Sequence, residues 1–265
     1  RKASELFGVA NFVFFSPEDL SIIKNGPAER RHFLDSELCQ LDKVYLYQLS
    51  NYNKVVLQRN KLLKELYLHP DYREVLDVLD MQLVQYGSAL IQRRQTFAEE
   101  LGEIVHRIHS QLSGGQEEME LKYEPNVTVD AFAQMLFANR ERDMRLKTTA
   151  TGPHRDDISF VVNGVDIRKF GSQGQQRTAA LSLKLSEIEL VKRLIGDTPV
   201  LLLDDVLSEL DSGRQNYLLN SIENIQTLIT CTGLDEFVNH RFSINRIYKV
   251  TDGSVTVENK QEADR

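Results

Sequence analysis

The sequence predicts an α/β protein, α+β overall, with a helical middle between β-rich ends. Three features predict it. The first is the run Val200-Leu201-Leu202-Leu203, which ends in Asp204-Asp205. An unbroken apolar run of this length reads as a strand buried on both faces, as in parallel sheets covered by helices. Carboxylates at its C-terminal end fall on the rim where open α/β sheets bind ligands. The second is helical periodicity over residues 27–66 and again over about 72–112, interrupted at His69-Pro70-Asp71. Two long helices joined by a short turn make an antiparallel helical hairpin. The third is a pair of β-hairpins at Asn163-Gly164 and Asp252-Gly253. These dipeptides supply the positive φ angles of type I′ turns.

The remaining elements follow in order. Phe12 to Phe15 is a short β-favouring run. Ser16-Pro17-Glu18-Asp19 starts a small helix, with Ser at the N-cap, Pro at the first position and acids in the first turn. Pro27 opens the first long helix, and Leu76, Leu79, Leu83, Leu90 and Ile91 mark the buried stripe of the second. Residues 119–123 alternate like a strand. Residues 129–146 read as one amphipathic helix with a basic end. Residues 158–167 form the first β-hairpin, 175–194 a helix, 213–222 a helix and 226–230 a strand. The last hairpin spans residues 244–258, and a tail after 258 reads as disordered.

Bulk properties narrow the class. The chain has 265 residues, enough for one large domain or two modest ones. Hydrophobic content of 41% and charged content of 27% are ordinary for a globular protein. There is no stretch of membrane-spanning length and no signal-peptide pattern. The start at Arg1, without an initiator Met, suggests a fragment. Cys39 and Cys231 lie far apart and show no metal spacing, which suits a reduced, cytoplasmic protein. The net charge of −7 means that nucleic acid would bind through a local basic patch, not through the overall field.

The chemistry centres on Asp204-Asp205. One carboxylate at a strand end can hold Mg²⁺ on a nucleotide phosphate while its neighbour positions a water, as in a Walker B motif. By itself the pair reads equally well as a solvated acidic turn. Two segments tip the balance. Phe170-Gly171-Ser172-Gln173-Gly174-Gln175-Gln176-Arg177 follows a strand and leads into a helix. It resembles the signature loop of ABC ATPases, with Ser172 able to donate its hydroxyl to phosphate, Gly174 allowing close approach, and Gln175 matching the motif's Gln. Ser208-Glu209-Leu210-Asp211 stands where that family carries its D-loop, although Asp211 would also cap the next helix in any protein. A second pentapeptide, Leu112-Ser113-Gly114-Gly115-Gln116, spells the ABC signature outright. It ends a helix instead of starting one, so Gly114-Gly115 reads as a C-cap. The place of the family's switch histidine holds Thr230 and Thr232. No G-x-x-x-x-G-K-[ST] loop occurs in the sequence.

With these motifs in hand, the chain resembles the RecF family, bacterial recombination mediators related to SMC-type ABC ATPases. The resemblance is carried by residues 15–20, 26–35, 52–60, 151–157, 170–177 and 202–211. It implies an ABC-ATPase/SMC-like head. Residues 1–16 would end a β-rich lobe I and 17–170 would form helical lobe II. Residues 171–196 would be the signature loop and helix, 197–258 the return to lobe I, and 259–265 a tail. It implies ATP and Mg²⁺ as cofactors, with Asp204 as metal ligand and Asp205 as water-positioning base. Ser172, Gln173, Gly174, Gln175, Ser208 and Asp211 would face a nucleotide held by a second head. Ser16–Asp19 stands in place of the Q-loop, with Glu18 instead of Gln. An Asp at 205, one methylene short of Glu, would make a slow ATPase suited to a switch. The resemblance further implies an ATP-dependent homodimer on duplex or single-strand/duplex junction DNA, working with RecO and RecR to load recombinase. Candidate phosphate contacts are Arg59, Lys61, Arg93, Arg94, Arg140, Arg142 and Arg145, with Arg30, Arg31, Lys54 and Lys147 as further basic residues. Without a P-loop this chain alone is expected to be inactive as an ATPase. The alternatives are another SMC-like head or a non-catalytic scaffold lobe.

Overall fold

The structure, a computed structural model, describes residues 10–65, 73–231 and 245–258. Strand β1 (Phe12–Phe15) leads through a 3-10 turn, Pro17–Asp19, into α1 (Leu20–Lys24). The Ser16 N–H donates to Asp19 Oδ2 at 2.7 Å and fixes this entry. Helices α2 (Pro27–Leu41), α3 (Lys43–Glu65) and α4 (Arg73–Leu112) follow. The expected single helix over 27–66 is therefore two. Asp42 divides them: its backbone is extended as it ends α2, and its Oδ1 accepts from the N–H of Val44 and Tyr45 at the start of α3. Helices α3 and α4 pack as the expected hairpin, and the Leu/Ile stripe predicted for α4 is buried. The predicted break at His69-Pro70-Asp71 lies outside the described residues.

Strand β2 (Met119–Glu124) comes next, then α5 (Phe132–Ala138) and α6 (Arg140–Leu146). The helix expected over 129–146 is thus divided at Asn139, whose side-chain amide donates to Thr151 Oγ1 instead of facing solvent. Strands β3 (Asp157–Val162) and β4 (Val165–Asp166) flank Asn163 (φ 48°) and Gly164 (φ 80°), the predicted type I′ turn. Ile167 belongs to a short helix α7 (Ile167–Phe170), not to the hairpin, because Asp166 Oδ1 caps it by accepting from the Arg168 N–H. Helix α8 (Gln173–Ile195), strand β5 (Val200–Asp204), α9 (Ser212–Ser221), β6 (Thr227–Thr230), and the hairpin β7 (Ile247–Thr251) and β8 (Ser254–Glu258) complete the order.

Three sheets result. In the first, β1, β5 and β6 run parallel in that order; β2, β3 and β4 form an antiparallel meander; β7 and β8 pair alone. The parallel sheet is covered on one face only by the described residues. Val13, Phe15, Leu201 and Leu203 point into the core, whereas Phe12, Phe14 and Leu228 stay exposed. The expectation of a strand buried on both faces is corrected accordingly. No helix among the described residues is long and apolar enough to cross a membrane.

Buried arginines hold the helical region together. Arg59 on α3 is fully buried. Its Nε meets Asp80 Oδ1 at 2.6 Å, and its Nη1 meets Asp143 Oδ2 at 2.7 Å and Thr149 Oγ1 at 3.0 Å. Arg94 on α4 reaches Asp35 at 2.8 Å, Asp156 at 2.9 Å, the Pro153 carbonyl and the Tyr45 hydroxyl. Arg30 grips Asp157 through both carboxylate oxygens at 2.6 and 3.0 Å. These pairs anchor residues 149–157 to the hairpin. Gly152 in this loop has φ 132°, and a Cβ there would collide with the Tyr52 hydroxyl. His154 Nε2 lies 3.0 Å from the Thr149 carbonyl and Nδ1 lies 2.7 Å from the Tyr52 hydroxyl. A carbonyl can only accept, so the Nε2–H tautomer is present and Tyr52 donates to Nδ1.

Two outcomes are expected. Arg59→Leu leaves Asp143 buried without its cation and destabilises the fold by about 3–5 kcal/mol in urea unfolding. Restoring most of that loss with Arg59→Leu/Asp143→Asn would locate the cost in the orphaned charge. Second, burial pushes the His154 imidazole down from 6.5 to about 4. The unfolded chain then binds a proton that the folded state refuses. The contribution is full above the unfolded value and is lost as pH falls toward the folded one, on the order of 3 kcal/mol. Urea midpoints between roughly pH 7 and 4.5 should fall more steeply for wild type than for His154→Gln.

Candidate functional site

The site residues fall on three pieces of backbone. The first is the rim of the parallel sheet. Asp204 ends β5 with an exposed carboxylate, and its Oδ1 accepts a hydrogen bond from the hydroxyl of Thr230 at the end of β6. Asp205 follows in the left-handed region at φ 51°, with its N–H bonded to the Thr230 carbonyl at 3.1 Å. Thr232 lies outside the described residues.

The second piece is the start of α8. It follows the short helix α7 rather than a strand, which corrects the expected context, and it begins at Gln173 rather than Gln175. The cause is a reciprocal cap. Ser172 Oγ accepts from the Gln175 N–H at 3.1 Å, and Gln175 Oε1 accepts from the Ser172 N–H at 3.0 Å. Since Ser172 Oγ is used as an acceptor, its hydroxyl hydrogen is free to donate outward. The middle of α8, from Thr178 to Val191, is almost entirely buried, whereas its N-terminal turn emerges with Ser172, Gln173 and Gly174 exposed.

The third piece is the start of α9. Ser208 donates to the Asp205 carbonyl at 2.8 Å and lies 3.1 Å from Asp205 Oδ1. Asp211 caps α9 by accepting from the Arg214 N–H at 3.0 Å, and its other oxygen pairs with the Arg214 guanidinium. These bonds, the backbone bond first, hold its carboxyl below the usual carboxylate range. The same guanidinium reaches Thr178 on α8 at 3.1 and 2.5 Å. Gln173, Gly174, Arg177, Leu210, Asp211 and Arg214 thereby line one cavity of about 290 Å³. Sequence reading did not single out Arg214. Its only local signal is its position three residues after a capping Asp.

Oxygen donors at the rim suit a hard cation. Among the described residues no three His, Cys, Asp or Glu side chains converge to hold a metal by themselves. Asp204 therefore fits a Mg²⁺ that keeps phosphate and water as its other ligands. Both cysteines are free, Cys39 buried and Cys231 exposed.

The basic candidates separate cleanly. Arg59 and Arg94 are buried in ion pairs and are withdrawn as phosphate contacts, as is Arg30. Arg93 is paired to Asp42 at 3.5 Å, and Arg140 to Asp77 and Asp80 at 2.6 and 2.7 Å. Arg31 donates to the Asp156 carbonyl. Lys54, Lys61, Arg142, Arg145 and Lys147 are exposed. The pentapeptide at 112–116 forms the predicted C-cap: Gly114 (φ 63°) and Gly115 (φ 78°) close α4, with the Gly115 N–H bonded to the Ser110 carbonyl at 2.7 Å.

A parallel sheet with an aspartate pair at its rim, a capped loop behind it, and an exposed helix start presented by a helical lobe define a head of the ABC-ATPase type. No family model matches the chain. It is 62% identical over 257 residues to the DNA replication and repair protein RecF of Agathobacter rectalis, spanning 97% of this chain and 71% of that protein. The RecF proteins of Lachnospira eligens and Clostridium perfringens are 60% and 43% identical over 98% and 96% of the chain. Among solved structures, the recombination mediator protein RecF-ATP in the RecFOR pathway superposes with a TM-score of 0.87 at 36% identity, over 96% of this chain and 69% of that one. The chain belongs to the RecF family.

Asp205 separates charge from geometry. Asn tolerates the left-handed region, so Asp205→Asn should leave thermal stability within about 0.5 kcal/mol. Asp205→Ala should lose about 1 kcal/mol to the positive φ. Equal stability of the two variants in thermal melts would show that the turn is not what constrains this position.

Proposed function

We propose that the chain is the larger part of an ATP-dependent recombination and repair mediator whose heads close in pairs around nucleotide. The observation that carries this is the reciprocally capped turn at Ser172, whose Gln173 and Gly174 line one cavity with Asp211. Asp204 lies apart from that cavity, on the sheet rim. One head then offers its rim to the nucleotide it holds, and its α8 turn to the nucleotide of the second head. In the bound state Asp204 would hold Mg²⁺, which shields phosphate charge. Asp205 would accept a hydrogen bond from the attacking water. Ser172 would donate to phosphate oxygen, and the backbone N–H groups of Gln173 and Gly174 would face the same charge at a helix N-terminus. Asp205 is one methylene shorter than Glu, which favours slow hydrolysis and a switch.

The domain division follows the same logic. Residues 12–16 and 197–230 belong to the nucleotide lobe, and 17–196 to the helical lobe that presents the signature turn. We read the apolar outer face of the parallel sheet as packing against further chain that the longer relatives possess. DNA would be held on its phosphate backbone by exposed cations, with Lys61, Arg142 and Arg145 the best placed, and without base readout. RecO and RecR are the partners implied by the pathway of the similar ATP-bound structure. A cytoplasmic location fits this work.

The test uses protein at the full length of its relatives. ATP should shift it from monomer to dimer in sedimentation, and Ser172→Arg, which puts a bulky cation where the second head docks, should abolish the shift. This chain by itself should bind ATP at least a hundredfold more weakly than the full-length form, because it has no P-loop lysine or glycine cradle. Tight ATP binding by the chain alone, or an unaffected Ser172→Arg dimer, would overturn the proposal.

A further inference from the structure

The pentapeptide at 112–116 is not the signature, but its turn serves the signature. The glycines reverse the chain at the end of α4, and the Glu117 N–H is fixed on Ser113 Oγ at 3.2 Å. The Glu117 carboxylate is thereby carried back over the last turn of α4 and across to α8. Its Oε1 accepts from Gln175 Nε2 at 3.0 Å. Its Oε2 lies 3.1 Å from Nε2 of His109, a fully buried residue on α4. His109 Nδ1 lies 3.0 Å from Ser182 Oγ, further along α8. One carboxylate thus ties the signature turn to an imidazole that is itself tied to the same helix two turns on.

The hydrogen bookkeeping gives the tie a direction. Burial pushes the His109 imidazole down, against the hydrogen bond and charge of Glu117, which pull it up. A carboxylate can only accept, so Nε2 carries a hydrogen toward Glu117, whereas the Ser182 hydroxyl gives its own hydrogen to the Thr178 carbonyl at 2.7 Å and meets Nδ1 through its oxygen. Gln175 is engaged at both ends of its amide: Oε1 receives the Ser172 N–H and Nε2 gives to Glu117. Without Glu117 the Gln175 amide could rotate. The reciprocal cap would lose its second bond, and Ser172 would no longer be held in the orientation that frees its hydroxyl.

We propose that Glu117 is a positioning residue for the ATP-driven closure of two heads, acting through Gln175 on Ser172. It touches no nucleotide and no metal. It restricts the signature turn to one arrangement before the second head arrives, which lowers the ordering cost of docking. The proposal rests on the reading of residues 172–175 as the signature turn.

The experiment separates the two ideas. In protein at the full length of its relatives, Glu117→Ala should weaken ATP-dependent dimerisation about tenfold in sedimentation, the loss expected for one charge-assisted hydrogen bond. ATP affinity measured at protein concentrations below dimerisation should stay within about twofold, since the turn acts on the partner's nucleotide. Glu117→Gln should restore dimerisation to within about threefold of wild type. Its Oε1 still accepts from Gln175, its amide can donate to His109 Nε2, and the ring moves its hydrogen to Nδ1. Ser172→Arg is run beside them. If Ser172→Arg dimerises normally, the signature reading has failed. If Ser172→Arg fails to dimerise while Glu117→Ala matches wild type, the positioning role is wrong. Parallel loss of monomer ATP affinity, dimerisation and thermal stability in Glu117→Ala, unrescued by Gln, would also overturn it, because that is the pattern of a merely structural contact.

Discussion

Burying a guanidinium is tolerable only if carboxylates go with it, and three are buried among the described residues: Arg30, Arg59 and Arg94 are among the largest fully buried side chains there. Each draws partners from a distant stretch. Arg59 brings together α3, Asp80 on α4 and Asp143 on α6. Arg94 joins Asp35 on α2 to Asp156, and Arg30 joins α2 to Asp157 at the start of β3. The loop at 149–157 exists largely to satisfy these charges. Such pairs add little net stability over an apolar core of the same shape, but a slipped helix register would strand an unpaired charge. The helical lobe is therefore locked in one arrangement.

That rigidity matters for α8, whose N-terminal turn at Ser172 is exposed while its middle is buried. Small residues, Ala179, Ala180, Ser182 and Ser186, let neighbours approach closely. Lys184 is buried against Glu187 at 2.6 Å and Asp19 at 4.0 Å. Burial pushes the Glu187 and Glu37 carboxyls up, Glu187 well above the usual carboxylate range. This cluster ties α8 to the segment that follows β1. A cavity of about 70 Å³ lined by Ser16, Asp19, Arg177 and Lys184 marks the join.

The motif order at 172–211 was legible because each motif is local: a capping Ser with Gln three residues on, an apolar run ending in acids, a capping Asp. The spurious signature at 112–116 was legible for the same reason, since two glycines after a helix make a C-cap. What periodicity could not show was pairing over distance. Asp42 and Asn139 look like surface positions of continuous helices until one sees that Asp42 caps the next helix and Asn139 bonds Thr151. Arg59 and Arg94 look like solvated cations because their carboxylates lie 21 to 84 and 59 to 62 positions away. The outer sheet face was misjudged for a different reason: an apolar run reports that both faces avoid water, not that the described chain supplies both covers.

The two capping residues of the site are chemically opposite, and this fixes what each can do. A serine that accepts from a backbone N–H keeps a hydrogen to give, so Ser172 suits an anion. Asp211 also accepts from a backbone N–H, but it has no hydrogen and its second oxygen is held by Arg214. It suits a donor or a cation, and it would repel phosphate unless Arg214 neutralised it. Arg214 also grips Thr178, one turn after Gly174, and the Thr178 hydroxyl donates to the Gly174 carbonyl at 2.8 Å. A displacement of Asp211 must therefore pull on the turn that presents Ser172. Asp211 is linked in turn to the rim through Leu210 and the Ser208–Asp205 bonds. The sheet rim at Asp204-Asp205 and the α8 turn at Ser172 are joined by a handful of hydrogen bonds. A change at Asp205 would thus be felt at Ser172 without any large motion of the lobe between them.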